Sequence, residues 1–244
     1  MRAAMSSDQQ RYAISFTPAP HEALGIVGAS WVGRNAFSGA SIEPPMIGGL
    51  SLAETSFHTA LPRRYGFQGM LKSPFYLADG MSEAMLLNAL MRFATGWQPF
   101  WLPRLKVVQR GGILAFAPAV AVPELDDLAA AVVCELDPFR APLSEAELER
   151  RDTGLLSPVQ FTNLHRWGEP DVMSAFSFHI PLTGPLDARE MARMERAVSE
   201  FFGPILQEPV EFENIALFVE EEPGAPFCVH SLHPMGALPA RKIA

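Results

Sequence analysis

Glycine and proline decide what this chain can fold into. With 22 prolines and 18 glycines in 244 residues, they separate most candidate segments and keep each one short. The segments between them follow no fixed order of strand and helix. A doubly wound parallel sheet needs regular βαβ spacing, so the pattern points instead to an α+β class.

Residues 11–17, "RYAISFT", alternate and are β-rich, and Pro18 and Pro20 end them; this predicts a strand. Residues 21–62 are broken by "GASWVGR", "SGASIEPPMIGG" and "LPRR", which predicts turns with little regular structure. "GASWVG" reads as a mobile loop over a cleft or as a packed connection anchored by Trp31. A second strand is expected over about 65–77, "YGFQGMLKSPFYL".

Ser82 caps a predicted helix over 83–95, closed by Gly96. "FWLPRLKVVQRGGILAFAPA" predicts a hairpin about Gly111-Gly112. Pro123 opens a helix over 123–136. Capping boxes at Ser144/Glu147, Ser157/Gln160 and Asp187/Glu190 start three more helices. Strands are expected over about 173–183 and around "NIALFVEE" and "FCVHSL".

An apolar content of 48% supports a substantial core, in one large domain or two small lobes. A net charge of −8 argues against an extended nucleic-acid footprint but leaves room for a small basic pocket. Cys134 and Cys228 form no CxxC pair, so no zinc site is expected, and Cys134 reads as a buried core thiol. "MRAAMSSDQQ" has no apolar leader core and no run of about 20 apolar residues occurs, which predicts a cytoplasmic protein without a membrane span. No P-loop, GxGxxG or nucleophile elbow is present.

Two segments echo one another. Residues 67–75 read FQGMLKSPF and residues 178–186 read FHIPLTGPL, with Phe, Leu and Pro at matching offsets. On an extended strand, side chains alternate faces. Gln68, Met70 and Lys72 then share one face of the first segment. His179, Pro181 and Thr183 share one face of the second. A pseudo-twofold between two lobes would bring Gln68 and His179 together across a cleft.

These residues, with "GASWVGR", "RRYGFQGMLKSPF", "LDPFRAPLSEAELERR" and "LHRWGEPDVMSAFSFHIPLTGPLD", resemble the DUF1045 group of phosphonate-metabolism proteins. That group falls within the 2H phosphoesterase (LigT-like) superfamily. The resemblance covers nearly the whole chain. It implies one bilobal domain over 1–244, with pseudo-twofold lobes, antiparallel sheets around a central cleft and helices outside. In active members each lobe supplies an H-x-T or H-x-S motif. Two imidazoles act as general acid and base on a phosphodiester or cyclic phosphate, without metal or other cofactor.

This chain departs from both motifs, which read Gln68-Gly69-Met70 and His179-Ile180-Pro181. One of four motif side chains, His179, survives. An amide does not titrate near neutral pH, so Gln68 cannot act as the missing acid or base. Lys72 is the expected phosphate contact. Thr183, Tyr12, Tyr65, Met70 and Pro181 are the other expected ligand contacts. His58, His230 and His233 are candidates for replacement acid–base chemistry. The implied partner is a small phosphate-bearing metabolite. Three readings follow: an enzyme built around His179, a binding protein without turnover, and an interaction module whose cleft has become apolar.

Overall fold

The computed structural model describes residues 10–236 apart from 48, 150 and 152. The question of a leader segment falls on residues 1–9, outside the described residues.

Alternating apolar residues place β1 (Arg11–Phe16) inside a four-stranded antiparallel sheet. Its order is β2 (Gly69–Phe75), β1, β8 (Asn214–Glu220), β9 (Cys228–Pro234). Both faces of β1 are covered. Tyr12, Ile14 and Phe16 enter the main core, while Ala13 packs with Ala216, Phe218 and Phe227 on the other side. A second, three-stranded antiparallel sheet runs β4 (Leu105–Arg110), β5 (Ile113–Pro118), β6 (Ile180–Pro181). Gly111 and Gly112, at φ 54° and 81°, form the two-residue turn between β4 and β5. Only residues tolerant of positive φ fit both positions of such a turn.

A two-stranded pair, β3 (Phe100–Leu102) with β7 (Val210–Phe212), joins the sheets. Phe212 stacks on Phe16 of β1 with ring centroids 4.5 Å apart and on Phe100 at 4.9 Å. Such ring pairs contribute about 0.5–1.5 kcal/mol each beyond area burial.

Four helices agree closely with their caps. They are α4 (Glu83–Thr95), α5 (Pro123–Leu136), α7 (Pro158–Trp167) and α8 (Ala188–Phe202). α4 packs on β9, α5 on β2 and α8 on β5. α6 spans Glu145–Glu149, and residue 150, within its expected extent, lies outside the described residues.

The turn-rich reading of 21–62 is overturned at both ends of the stretch and holds between them, where the described residues of 33–51 form no helix or strand. This stretch holds α1 (Ala23–Val32), α2 (Leu52–His58) and the first half of α3 (Ala60–Tyr65). Two glycines, Gly25 and Gly28, are packing glycines within α1, while Gly33, Gly39 and Gly49 take positive φ outside it. A Cβ on Gly28 would stand 2.3 Å from the ring of Phe67, and one on Gly25 would stand 2.4 Å from the Ala19 carbonyl oxygen. "GASWVG" is therefore helical through Val32, closed by Gly33 at φ 80°, and anchored. The fully buried Trp31 donates its indole N–H to the Leu182 carbonyl at 2.9 Å.

Both motif strands are shorter than expected. Tyr65 ends α3 rather than starting a strand, and Gln68 sits one residue before β2. Met173–Ala175 form a 3₁₀ turn and His179 sits one residue before β6. Cys134 is exposed rather than buried. The buried stripe of α5 runs through Leu125, Leu128, Val132 and Leu136, and position 134 falls on the opposite face at 100° per residue.

Candidate functional site

A cavity of about 230 Å³ opens between the end of α3, the start of β2, the turn of the β4–β5 hairpin and the segment leading into β6. Gln68 and His179 both line it. They approach from different sheets, each held just outside the first residue of its strand.

His179 is half-buried, and its Nδ1 lies 3.0 Å from the Ser177 carbonyl. A carbonyl only accepts, so Nδ1 carries the proton and Nε2 keeps the lone pair in the neutral ring. Burial pushes the imidazole pKa below its ordinary value, and the Arg110 charge adds to this. The Ser177 hydrogen bond and Asp171 act in the opposite sense. The net effect favours a neutral base near neutral pH.

Gln68 is 2% exposed. Its Nε2 donates to the Tyr65 carbonyl at 2.6 Å, which fixes the amide orientation. Its Oε1 is buried without a hydrogen-bond partner. One amide N–H is thus already committed to the turn between α3 and β2.

Tyr65, Met70 and Pro181 also line the cavity, while Lys72, Thr183 and Tyr12 do not. For Lys72 the cause is a bulge. Ser15 pairs with Met70 and Ile14 with Lys72, so one step on β1 spans two on β2. The extra residue reverses the alternation of faces. Lys72 turns away and pairs with Asp137 at 3.2 Å, while Ser73 reaches the cavity. For Thr183 the cause is a bend after the two residues of β6. Leu182 and Thr183 both donate backbone N–H groups to the Leu114 carbonyl, and the Thr183 hydroxyl accepts from the Leu114 N–H at 3.0 Å. Tyr12 is fully buried, with its phenol donating to Glu83 at 2.9 Å.

His58, His230 and His233 are also absent from the cavity wall. His58 lies 3.5 Å from Glu190, His230 lies 3.4 Å from Glu83, and His233 shares a 2.9 Å hydrogen bond with the Ser231 hydroxyl. Arg63 and Arg64 serve the fold. Arg63 donates to the Val32 carbonyl at 2.9 Å, and Arg64 pairs with the buried Glu220 at 2.6 Å.

Four polar residues of the cavity were not singled out in the sequence: Ser73, Arg110, Glu169 and Asp171. Arg110 ends β4 beside the Gly-Gly turn, where it reads as a hairpin-tip charge. Glu169 and Asp171 flank Pro170 after α7 and read as part of a helix stop. Their spacing on either side of a proline was the available signal. Burial pushes the Glu169 carboxyl pKa up, against a hydrogen bond from Ser73 and the charge of Arg151 3.6 Å away. The cavity thus holds a neutral imidazole, one guanidinium and two carboxyl groups, set among Leu61, Pro62, Met70, Val172, Phe176 and Pro181. Among the described residues, no group of three His, Cys, Asp or Glu could hold a metal ion, and no helix is long and apolar enough to cross a membrane.

Residues 70–228 match the model of a family described as protein of unknown function DUF1045. Two curated relatives are each named ribose 1,5-bisphosphate phosphokinase PhnN. The one from Janthinobacterium sp. (strain Marseille) is 33% identical over 226 residues, 91% of this chain and 50% of that protein. The one from Laribacter hongkongensis (strain HLHK9) is 34% identical over 218 residues, 89% of this chain and 50% of that protein. The chain therefore spans about half the length of these curated relatives. A solved structure titled as a phosphoesterase superposes with a TM-score of 0.38 at 12% identity, covering 93% of this chain and 99% of that one.

Proposed function

The chain belongs to the DUF1045 family, and on that premise we propose that it binds a small phosphate-bearing metabolite in the 230 Å³ cavity, with His179 as its acid–base group. The observation that carries this reading is the meeting of Gln68, His179 and Arg110 in one cavity. The guanidinium supplies a fixed positive charge with a donor geometry suited to phosphate oxygens. The imidazole presents an unprotonated Nε2 suited to taking a proton from a ligand hydroxyl or water. The ligand class is a cyclic phosphate, phosphodiester or phosphonate-related compound. The relatives' names add sugar phosphates of the ribose 1,5-bisphosphate kind to that class.

The bilobal arrangement, with one domain over 1–244 and Gln68 and His179 as pseudo-twofold equivalents, belongs to the same proposal. Its support is that the two residues precede the first residues of strands in different sheets. A cytoplasmic location is proposed with it.

A second reading is binding without turnover. Two observations favour it. Gln68 has no titratable group and one committed N–H, and Met70 and Pro181 stand where the family pattern has hydroxyls. Loss of one general acid or base costs about 10²–10⁴ in rate.

The test is ³¹P NMR of the protein with cyclic phosphates, phosphodiesters and phosphonates. New product signals that vanish in His179→Ala support catalysis. Shifted ligand signals without product, lost in Arg110→Gln, support the binding reading. Unshifted signals across the panel reject phosphate recognition by this cavity.

A further inference from the structure

We propose that a small basic pocket beside the cavity is an oxyanion subsite, which takes a second phosphate of the ligand whose first phosphate lies against His179 and Arg110. The inference rests on the phosphate reading of the cavity given above.

The pocket, of about 70 Å³, is lined by Arg11, Lys72, Arg140 and Arg151. This volume is near that of two waters at about 30 Å³ each in the liquid, the scale of one tetrahedral oxyanion. It adjoins the larger cavity, because Ser73, Glu169 and Val172 line both. The two spaces share a wall of side chains.

The charges around it do not balance. Asp137 serves two cations, Lys72 at 3.2 Å and Arg140 at 2.8 Å. Glu220 likewise serves both Arg11 and Arg64. Arg151 meets Glu169, and the Glu147 carboxylate accepts from the Ser144 amide and hydroxyl at 2.9 and 2.7 Å. Among the described residues, five cations thus face four carboxylates, in a chain whose net charge is −8. Burial also pushes the Glu169 carboxyl towards its neutral form, which widens the surplus.

Lys72 is the sharpest case. Its side chain is 4% exposed, and an ammonium has three N–H donors for one carboxylate at 3.2 Å. Desolvation lowers its pKa despite that carboxylate. An oxyanion at this point would supply the missing acceptors and offset the desolvation. The bulge that removes Lys72 from the cavity is what delivers it here.

The subsite makes the ligand a doubly phosphorylated small molecule. Isothermal titration with a 5-phosphorylated and a 1,5-bisphosphorylated pentose tests this. The bisphosphate is expected to bind at least ~10-fold tighter, the scale of about one good charge-assisted contact. Lys72→Met and Arg151→Gln should each bring that ratio towards one and leave the monophosphate affinity at the wild-type level. Arg110→Gln should weaken both ligands and preserve the ratio. Arg151 is 35% exposed, so its variant keeps the test open if Lys72→Met folds poorly. Equal affinities in the wild type, or a ratio untouched by either variant, overturn the subsite. If neither pentose binds, inorganic phosphate separates the two proposals. Saturable binding lost in Lys72→Met keeps the subsite and rejects the reading of the cavity, whereas no saturable binding rejects both.

Discussion

The ring of Phe178 occupies the space where Gly69 would carry a side chain. A Cβ there would stand 2.2 Å from Cζ and 2.4 Å from Cε2. The residue after Gln68 and the residue before His179 are therefore in direct contact, and the spacing of the two cavity walls depends on a missing methyl group. Phe178 is itself 4% exposed and lies 6.2 Å, centroid to centroid, from Phe16, so it has little room to retreat. Gly69→Ala is expected to lose about 1–3 kcal/mol of stability, the usual range for overpacking a filled core. Urea denaturation measures this; an unchanged midpoint would mean that the ring moves freely.

Gln68 offers a stability test of its own. Its bond to the Tyr65 carbonyl is worth about 0.5–1.5 kcal/mol, while a buried acceptor left unpaired costs about 1–3 kcal/mol. Gln68→Met removes both at similar volume. The expected change is within about 1 kcal/mol of zero or mildly stabilising. A loss of more than ~2 kcal/mol in chemical denaturation would show that Oε1 has a partner, such as a bridging water.

Acid should weaken the fold through His179. Its pKa in the folded chain is depressed by burial below the ordinary 6.5. The unfolded chain therefore takes up the proton first as pH falls through 6.5, and the fold loses stability from there down to the folded-state pKa. His233, also depressed by burial, acts in the same direction. Denaturation midpoints from pH 8 to 5 should fall, and His179→Asn should flatten the slope. A slope identical in the variant would remove His179 from the account. If His179 is the base, the rate should hold through 6.5 and fall only below it.

The carboxylate of Glu220 is fully buried between Arg11 and Arg64. Burial alone would raise its pKa, but hydrogen bonds from the two arginines outweigh that and hold it below the ordinary 4.5. Its contribution is present above 4.5 and fades as pH falls through the folded-state value. Glu220→Gln is expected to cost about 1–3 kcal/mol at neutral pH, the scale of bonds to a charged group, and to shrink the difference from wild type at pH 3. Thermal melts at the two pH values check it; a penalty equal at both would point to packing instead of charge.

The helices that were legible in the sequence carry their instructions locally. Ser82, Ser157 and Asp187 cap by bonding backbone N–H groups one turn ahead, and Gly111-Gly112 fixes its hairpin in the same local way. α1 was illegible because Gly28 makes room for Phe67, far away in sequence, and Gly25 for the Ala19 carbonyl, and a glycine count reads both as turns. In the cavity, Gln68, His179, Tyr65, Met70 and Pro181 are the residues that alternation and resemblance reached. Arg110, Glu169 and Asp171 come from a hairpin tip and a helix stop, and only the tertiary fold brings such places together. Lys72 was misplaced because strand alternation assumes an even count, and β2 does not keep one.

The irregular pairing of β2 makes length in this strand a chemical variable. The bulge carries Ser73 to the cavity wall and turns Lys72 away from it, so excision of Leu71 would leave both on their present sides, whereas one residue inserted beside Leu71 with the bulge kept would re-phase the strand and trade a hydroxyl for an ammonium in the cavity of His179. An insertion of one residue here is thus equivalent to a double substitution at two sites, and alignments across the strand are best scored by which compartment a side chain enters.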